Sequence, residues 1–367
     1  MKAIVGWEAF RDALHLITQL VPGRANLGEP SVVQITTTGD AVVLSSQDYD
    51  CAVRIELSED IDPKETGSIT LPGQLLTSFV RDLRGKTLEL RTKPNSDACS
   101  LSCGGDTLEL VAAPEVNFDP LPEIDPKGTF EVPTEIFAKL IERCSFAVAK
   151  DDRRGLHGLR MEVESDRIRI VATDSRRLAI AEAPLDHAPK HLAPTTLPTR
   201  TVSQLVSAIR GQKPTLRISP MTSQICFSTP GLTVFTRVIQ AKFPEKYAAI
   251  VPNETSNSVR FRADDMAQKL RLVANVSQQE LRSVELRLSS NSATLVSVSP
   301  GQGTATAEVP VTFQGVVDRL KYNPDYLIEG LKRADTDEIE LVYEQANTPA
   351  KFLLGEGFIY VVMPINV

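Results

Sequence analysis

The fold is decided by three related stretches of sequence: Pro72-Gly-Gln-Leu-Leu-Thr-Ser-Phe79-Val-Arg-Asp-Leu-Arg84, Pro198-Thr-Arg-Thr-Val-Ser-Gln-Leu205-Val-Ser-Ala-Ile-Arg210 and Pro324-Asp-Tyr-Leu-Ile-Glu-Gly-Leu331-Lys332. In each of them apolar residues recur every three to four positions, which is the period of an α-helix. A proline suits the first helical turn, because an N–H there has no partner within the helix. Successive prolines are 126 residues apart, so the pattern predicts three copies of one unit.

Two further features recur at nearly the same spacing. A second amphipathic helix is predicted near the start of each copy, from Trp7, Phe10, Leu14, Ile17 and Leu20, then Ile136, Phe137, Leu140 and Cys144, then Met266, Leu270 and Val273. Alternating apolar and polar residues follow each helix around a turn residue, and this predicts β-hairpins over 33–44, 159–171 and 284–296. Each copy is therefore expected to hold two helices and several antiparallel strands.

The joins between the copies are polar or rich in proline. Residues 120–128 contain three prolines and residues 252–258 are mostly polar, as in linkers. We therefore predict an α+β fold of three domains, at about 1–122, 128–252 and 257–367. Each domain is long enough to bury its own core. Repeated whole domains suit a ring, because the repeats of a solenoid are much shorter, at roughly 20–45 residues.

The composition excludes several classes of protein. With 42% hydrophobic and 24% charged residues, the chain has the balance of a globular protein. The longest apolar run, 358–363, is far shorter than the ~20 residues of a membrane helix, and residues 1–7 lack the pattern of a signal peptide. Five cysteines in so long a chain favour reduced thiols in the cytosol. A net charge of −7, taken alone, argues against a nucleic-acid partner.

The common sequence motifs for phosphate binding, nucleophilic catalysis and metal binding are missing from the sequence. The chain contains no phosphate-binding loop, no nucleophile elbow and no His-Glu-x-x-His. His187 and His191 lie four apart without a nearby cysteine, and structural zinc needs four ligands. Cys99 and Cys103 are expected to share the buried face of a strand. We therefore predict no metal and no cofactor.

Two short stretches that contain aspartate are the remaining candidates for catalysis. Asp151-Asp152 is flanked by Lys150 and by two arginines, which favours a solvated turn. Asp174 and Ser175 form an alternative hypothesis, a cytosolic hydrolase, although no histidine is placed by sequence to activate the serine. The leading prediction is a protein that is not an enzyme.

The distribution of charge is more informative than its sum. The six predicted helix segments, 7–21, 73–86, 133–154, 198–213, 263–276 and 323–334, carry +5 together, which leaves −12 for the other residues. Helices that are net basic in an acidic protein can face phosphate, although ordinary solvated helix faces would give the same count. Aromatic residues make up only 5% of the chain and are not interleaved with the basic ones, which disfavours stacking on single strands.

Two long motifs and several short ones match a known family. The long motifs are Val171-Ala-Thr173-Asp174-Ser-Arg-Arg177-Leu178-Ala179 and Phe358-Ile-Tyr360-Val-Val-Met363-Pro364-Ile365. Shorter matches in the family's order and spacing are Ser145–Ala149 with Leu156–Leu159, Phe243-Pro244, and Asn323–Tyr326. Over its whole length the chain resembles the bacterial DNA polymerase III beta subunit, the DNA sliding clamp.

The resemblance implies a mechanism without bond-making. The family forms head-to-tail homodimers of three-domain chains, and the ring encircles double-stranded DNA and tethers the replicative DNA polymerase, the clamp loader and other clamp-binding proteins. Such a protein is a non-catalytic processivity factor, cytoplasmic and associated with the nucleoid. Arg24, Lys150 and Arg154 fall where the family contacts DNA. The helix charges add Arg84, Arg210 and Lys213, since phosphate–cation contacts are independent of sequence.

Family members bind short apolar peptides of their partners in a pocket between the second and third domains. By position, twelve residues would line it here: Leu156, Thr173, Ser175, Arg176, Arg177, Leu178, Pro244, Val361, Val362, Met363, Pro364 and Ile365. For Val361 and Ile365 an ordinary core strand is the alternative. Asp48 lies 126 residues before Asp174, but Gln47-Asp48-Tyr49-Asp50 lacks the Ser-Arg-Arg-Leu continuation. A feature present in one copy of a repeat is less expected to be scaffold.

Some residues depart from the family pattern. Ser175-Arg176 replaces the common Gly-His, and the stretch 243–252 is one residue longer and lacks an arginine often found there. These departures concern peptide affinity and selectivity. The second hypothesis is therefore a diverged paralogue, or a scaffold with an altered pocket that does not encircle DNA.

Overall fold

The computed structural model describes residues 1–24, 29–92, 97–114, 118–150, 156–164, 166–187, 189, 192–252, 256–276 and 282–365, and for residues 24, 29, 30 and 127 it describes the backbone alone. Within these residues the chain forms six α-helices and 28 strands. The paired strands are antiparallel throughout. The predicted α+β class is confirmed.

The helices lie where the apolar periodicity predicts them. They are α1 (Trp7–Leu20), α2 (Gly73–Asp82), α3 (Thr134–Ser145), α4 (Thr199–Ile209), α5 (Ala263–Ala274) and α6 (Pro324–Leu331). Pro324 occupies the first turn of α6, as predicted, and the Asn323 side chain accepts a hydrogen bond from the Asp325 N–H. For Pro72 and Pro198 the prediction is wrong by one residue, because each ends the strand before its helix. Both strands lie at sheet edges, where a missing N–H breaks no ladder bond.

The three predicted hairpins are confirmed. They are formed by β4 (Val32–Thr37) with β5 (Val42–Gln47), β13 (Gly158–Glu164) with β14 (Arg167–Thr173), and β21 (Val284–Leu288) with β22 (Ser292–Ser299). Their burial alternates along most of each strand, so one face of each hairpin contributes to a core.

The chain divides into two compact units, and the division passes through the central repeat. The first unit is Met1–Ala138 with Arg200–Val238, and the second is Lys139–Thr199 with Ile239–Val367. The central copy is therefore divided between the two units, because its strands pair with strands of the first copy in one unit and of the third copy in the other. The three domain ranges stay a prediction from the sequence repeat.

The first unit contains a five-stranded, an eight-stranded and a two-stranded sheet. Their remaining strands are β1 (Lys2–Gly6), β2 (Gly23–Arg24), β3 (Glu29–Pro30), β6 (Cys51–Leu57), β7 (Ile61–Glu65), β8 (Gly67–Pro72), β9 (Thr87–Thr92), β10 (Ala98–Cys103), β11 (Asp106–Val111), β12 (Phe130–Pro133), β17 (Thr215–Pro220), β18 (Gln224–Thr229) and β19 (Leu232–Arg237). The sheet orders are β11-β10-β9-β1-β7, β12-β17-β18-β19-β6-β5-β4-β8 and β2-β3. Helix α1 packs on α2 and on strands β5 and β6.

The second unit contains a nine-stranded and a four-stranded sheet. Its remaining strands are β15 (Arg177–Pro184), β16 (Thr195–Pro198), β20 (Asn257–Arg262), β23 (Gly303–Pro310), β24 (Thr312–Gln314), β25 (Arg319–Tyr322), β26 (Glu338–Tyr343), β27 (Ala350–Gly355) and β28 (Phe358–Val362). The sheet orders are β16-β13-β14-β15-β28-β27-β26-β20-β24 and β23-β22-β21-β25. Helix α5 packs on α6, β22 and β23.

One strand pair joins successive repeats within each unit. In the first unit β6 pairs with β19, with Val53 opposite Val234. In the second unit β15 pairs with β28, with Ala179 opposite Tyr360. Both partners of the second pair lie 126 residues after those of the first, so the two joins are equivalent. We call them the first junction and the second junction.

All five cysteines are buried as free thiols. Cys99 and Cys103 share a face of β10, as predicted. Burial raises the pKa of the Cys99 thiol to about 11 and that of Cys226 to about 12. Among the residues described, none of the helices has the length and apolar content to cross a membrane.

Candidate functional site

The second junction is organised by an aspartate that caps a turn. Strand β14 ends at Thr173, and the Asp174 Oδ1 atom accepts hydrogen bonds from the N–H groups of Arg176 at 2.9 Å and Arg177 at 3.0 Å. The Thr173 hydroxyl donates to the Arg177 carbonyl at 2.7 Å. Ser175 lies in the left-handed region, with φ 74°. The predicted pocket residues 173, 175, 176 and 177 are thus brought together in one turn.

Arg177 links this turn to the helix α6. Its side chain is only 3% exposed, and its Nε donates to Asp174 Oδ2 at 2.9 Å. Its Nη1 pairs with Glu329 on α6, and its guanidinium lies over the rings of Phe146 and Tyr326, at 5.5 and 4.7 Å from their centroids. Burial opposes the charge, but Tyr360 and the carboxylates of Glu329 and Asp174 outweigh it and raise the pKa of Arg177. Arg177 is a fixed cation that holds the turn against α6.

An apolar cluster lies beside the turn. Its members are Leu156, Val171, Leu178, Ile180, Phe243, Tyr247 and Val361, with Ala149, Val251 and Ile359 packed against them. Of the predicted pocket residues, Leu156 is 5% exposed, Leu178 is 0% and Val361 is 1%. These three side chains are therefore packed inside the cluster and shielded from solvent. A bound peptide would lie against the rim of the cluster. Pro244 is exposed at that rim.

Sequence reasoning did not identify Tyr247 as part of this region. It lies in a short 3₁₀ turn, Tyr247–Ile250, within the stretch 243–252, which the family resemblance predicts to be one residue longer than usual. Its ring contacts Phe243 edge to face, at 6.0 Å between centroids, and its hydroxyl donates to Glu162 Oε2 at 2.6 Å. Burial, together with this carboxylate, raises the pKa of Tyr247 to about 12. The only available signal was the extra residue, which says nothing about the direction of the ring.

A cavity of about 520 Å³ opens beside Arg177. It is lined by Ala149, Lys150, Asp174, Arg176, Arg177, Arg282, Asn323, Asp325, Tyr326, Ile328, Glu329 and Lys332. Arg282 is bound to Asp325, at 2.6 and 2.8 Å. Lys150, Arg176 and Lys332 make no ion pair with any residue that the structure describes. The cavity therefore presents positive charge beside the apolar cluster.

The last described residues continue from β28 along the same region. Val362 is fully buried in the sheet, opposite Arg177. The Met363 N–H donates to the Arg176 carbonyl at 2.9 Å, and the Ile365 N–H donates to Lys321 at 2.8 Å. Met363 is 37% exposed, and Pro364 and Ile365 are half-buried. Met363 and its neighbours can thus contact a peptide, whereas Val362 supports them from within the sheet.

The structure describes the side chains of four of the six predicted DNA-contacting residues. Arg84 and Arg210 are exposed and occupy equivalent positions just after α2 and α4, and Lys213 follows Arg210 half-buried. Lys150 lines the cavity beside Arg176 and Arg177. The side chain of Arg24 and the whole of Arg154 lie outside the described residues, as do Asp151-Asp152 and His191.

The arrangement around Asp174 and Ser175 is structural. Both carboxylate oxygens of Asp174 accept hydrogen bonds from the turn, and the Ser175 N–H donates to Thr173 Oγ1 at 3.1 Å. No group of three or more histidine, cysteine, aspartate or glutamate residues suited to a metal ion occurs among the residues described. The geometry does not favour the hydrolase alternative.

Comparisons with known proteins agree along the whole chain. Family models of the DNA polymerase III beta subunit match its N-terminal domain at residues 1–122, its central domain at 131–245 and its C-terminal domain at 248–366. Curated relatives include the beta sliding clamp of Pseudomonas putida, 26% identical over 98% of both chains, and that of Streptomyces coelicolor, 25% identical over 100% of both.

Solved structures share the fold. The beta subunit of DNA polymerase III from Thermotoga maritima matches with a TM-score of 0.90 and 24% identity, covering 100% of this chain and 99% of that one. A sliding clamp from Pseudomonas aeruginosa, bound to griselimycin, matches with a TM-score of 0.93 and 23% identity over 100% of both chains. Three consecutive family domains, in the order of the internal repeat, account for nearly every residue, and the chain therefore belongs to the DNA polymerase III beta-subunit family.

Proposed function

We propose that this chain is a DNA sliding clamp: a homodimeric, head-to-tail ring that encircles duplex DNA and tethers the replicative polymerase, the clamp loader and other proteins with a clamp-binding peptide. The observation that carries the proposal is the match of all three beta-subunit domains over residues 1–366. As a member of this family the chain is a non-catalytic processivity subunit, and its place of action would be the cytoplasm, on the nucleoid.

The proposed DNA contacts are Arg24, Arg84, Lys150, Arg154, Arg210 and Lys213. Arg84 and Arg210 support them, since they are exposed at equivalent positions of the repeat, although Arg210 pairs with Glu135 at 2.8 Å and would exchange that contact for a phosphate. Contacts of this type are favourable at every position along DNA and specific at none, which is what sliding requires. Affinity for DNA should therefore fall steeply as salt concentration rises.

The proposed partner pocket is the rim of the apolar cluster together with the positive cavity beside it. Leu156, Leu178 and Val361 form its buried base, and Pro244 and Met363 stand exposed beside them. A peptide that places apolar side chains against the cluster and a carboxylate near Arg176 and Lys150 would meet complementary charge.

Two open sheet edges support the proposed dimer. Strand β11 is the edge of the five-stranded sheet and β23 is the edge of the four-stranded sheet. Exposed apolar side chains lie on or beside these strands: Val111, on β11, is 70% exposed, and Leu272 on α5 and Val298 on β22, both elements that pack against β23, are 55% and 61% exposed. Pairing β11 of one chain with β23 of its partner would cover both edges, and two such contacts close a ring.

The deciding experiment measures retention on DNA of defined topology. After clamp loading, the protein should stay on nicked circular DNA and leave linear DNA within seconds to minutes, and it should sediment as a dimer. Leu272→Glu should yield monomers and abolish retention, while Leu353→Glu, at an exposed apolar residue away from both edges, should not. A monomeric wild-type chain, or equal loss from circular and linear DNA, would exclude encirclement.

The paralogue or scaffold hypothesis makes a different prediction. Charge reversal at Lys150 and Arg154 would then leave processive DNA synthesis unchanged, whereas a clamp that tracks phosphates should lose processivity. Because Lys150 also lines the proposed partner pocket, an unchanged affinity of the variant for a clamp-binding peptide is the control that assigns a loss of processivity to lost DNA contacts.

A further inference from the structure

Residues 243–251 contribute to the rim of the proposed partner pocket without belonging to any strand. We call them the rim segment. Pro244 is exposed, and Val251 packs against the apolar cluster. Within the described chain, the backbone hydrogen bonds of the rim segment are internal: the N–H groups of Tyr247, Ala249 and Val251 each donate to a carbonyl three residues earlier, at 3.3, 3.0 and 3.2 Å. Side chains must therefore fix its position against the sheet.

Two aromatic side chains anchor the rim segment, and all of their described partners lie in the second unit. Phe243 and Tyr247 are 4% and 7% exposed and belong to the apolar cluster. The Arg160 guanidinium lies 5.4 Å from the centroid of the Phe243 ring. The Tyr247 hydroxyl adds a directed polar contact, because it donates to Glu162 Oε2 at 2.6 Å. Apolar packing has no direction, whereas a hydrogen bond fixes both a distance and an angle.

The carboxylate that accepts this hydrogen bond is held in place by other residues. Glu162 lies on β13, opposite Arg169 of β14. Its Oε1 accepts from Arg160 Nε at 2.7 Å, and its Oε2 lies 3.5 Å from Arg169 Nη1. The Glu162 side chain is only 15% exposed, so water competes little for it. A short hydrogen bond to an ionised, oriented carboxylate is among the stronger polar contacts in a protein.

This hydrogen bond connects the rim segment to the sheet that carries the rest of the pocket. Strand β13 pairs with β14, which ends at Thr173 in the capped turn, and β14 pairs with β15, which contains Leu178. We propose that Tyr247 is a positioning residue of the partner pocket: bound to Glu162, it holds the rim segment in the peptide-binding position before a peptide arrives. The inference rests on the proposed partner pocket. A site that is already ordered binds more tightly, because binding then loses less conformational entropy.

The anchoring is tested without a ligand. Tyr247→Phe keeps the ring and removes only the hydroxyl. In native-state hydrogen exchange of the full chain, the N–H groups of Ala249 and Val251 should exchange about tenfold faster in this variant, because a hydrogen bond to a charged group is lost. Tyr343 is the matched control, since it is buried on β26 and its hydroxyl donates to the Val317 carbonyl. Exchange that is the same in Tyr247→Phe and Tyr343→Phe would overturn the proposal.

The effect on the pocket is tested by calorimetric titration of the full chain with the acidic apolar peptide acetyl-Leu-Asp-Leu-Phe-amide. Tyr247→Phe should weaken binding about fivefold, because only the fraction of molecules with the rim segment in place binds at full strength. Tyr343→Phe should bind within about twofold of the wild-type chain. Equal affinities of the two variants would contradict a positioning role.

Variants of Glu162 separate positioning from stability. Glu162→Gln can still bond to Tyr247 through either end of its amide, because a hydroxyl both donates and accepts. It should keep peptide affinity within about twofold, although the loss of its charge beside two arginines lowers the melting temperature. Glu162→Leu should bind as weakly as Tyr247→Phe. If affinity follows melting temperature across the three variants instead, Tyr247 has a structural role only.

Failure of the proposed pocket gives a different result. A wild-type chain without affinity for the peptide would exclude the pocket and the positioning role together. A wild-type chain that binds the peptide, and loses it with Arg176→Glu but not with Tyr247→Phe, would keep the pocket and overturn the role of Tyr247 alone.

Discussion

At the scale of single residues, the second junction depends on one buried guanidinium. Arg177 satisfies Asp174 and Glu329 and stacks on two rings, while its neighbour Arg176 is exposed and makes no ion pair with a described residue. Sequence position assigned both to the same pocket. In the structure the two residues have different roles, because Arg177 fixes the turn and Arg176 faces the cavity.

Replacing Arg177 with methionine should lower the free energy of unfolding by about 3 kcal/mol, since removing one partner leaves the Asp174 carboxylate poorly compensated. Arg176→Met should change it by no more than about 0.5 kcal/mol. Chemical denaturation measures both. Equal effects would show that the buried ion pair contributes nothing beyond ordinary packing.

Ser175 stores backbone strain. A residue with a Cβ at φ 74° is disfavoured by roughly 1–2 kcal/mol relative to glycine. Glycine also costs about 0.5–1 kcal/mol in chain entropy. We therefore expect Ser175→Gly to raise the unfolding free energy by up to about 1 kcal/mol, and Arg176→Gly, next to it at an ordinary φ, to lower it. Chemical denaturation of both variants tests this. If the two substitutions change the unfolding free energy in the same direction, Ser175 carries no such strain.

At the scale of elements, helix α3 is tethered to the turn after α6 by an ion pair. Arg143 and Lys139 both bind Asp335, and Arg143 also donates to the Glu356 carbonyl at 3.1 Å. Partial burial raises the pKa of Asp335, but the hydrogen bonds from Arg143 and Lys139 outweigh it and hold the pKa below its usual value.

A lowered carboxylate pKa stabilises the folded state above the unfolded pKa, near 4, and this contribution is lost as pH falls through the folded value. Asp335→Asn should therefore destabilise the chain at pH 7 and have less effect at pH 3. Asp337→Asn, at an exposed side chain two residues away, makes the same chemical change and is the matched control. Urea denaturation at both pH values tests this, and a constant effect of Asp335→Asn would rule out the linkage.

The segment after β28 is expected to serve binding and not folding. Deleting residues 363–367 leaves β28 complete but removes the Met363 and Ile365 contacts. Calorimetry should show loss of affinity for an acidic apolar peptide such as acetyl-Leu-Asp-Leu-Phe-amide, while sedimentation still shows a dimer. Retained peptide affinity would remove Met363, Pro364 and Ile365 from the pocket.

Local pattern predicted the elements well, and long-range pairing less so. The six helices and three hairpins follow from periodicity, which depends on neighbours in sequence. Glu329 lies 152 residues from Arg177 and Asp335 lies 192 residues from Arg143, and no rule of spacing pairs them. The repeat predicted three copies but not the strand pairs that join them, and the equal turns at Asp48 and Asp174, in which each aspartate accepts two backbone hydrogen bonds, could not be predicted because the residues that follow them differ. The expectation that Asp174 marks a feature of one copy only is therefore wrong for the turn itself.

At the scale of the whole molecule, sheets cross the sequence repeats. Because β6 pairs with β19 and β15 pairs with β28, the central copy belongs partly to each unit. Native-state hydrogen exchange should therefore group β17–β19 with β4–β6, and β13–β15 with β26–β28, by their opening free energies. Three groups that follow the repeats would contradict this expectation.

The five buried thiols have a practical consequence. Reagents such as maleimides attack the thiolate, and burial raises the pKa of all five cysteines. The folded chain should therefore remain unlabelled at neutral pH without removal of any native cysteine. A single cysteine introduced at an exposed position such as Glu59 would carry one dye per chain, so the assembly and its movement on DNA become accessible to single-molecule fluorescence.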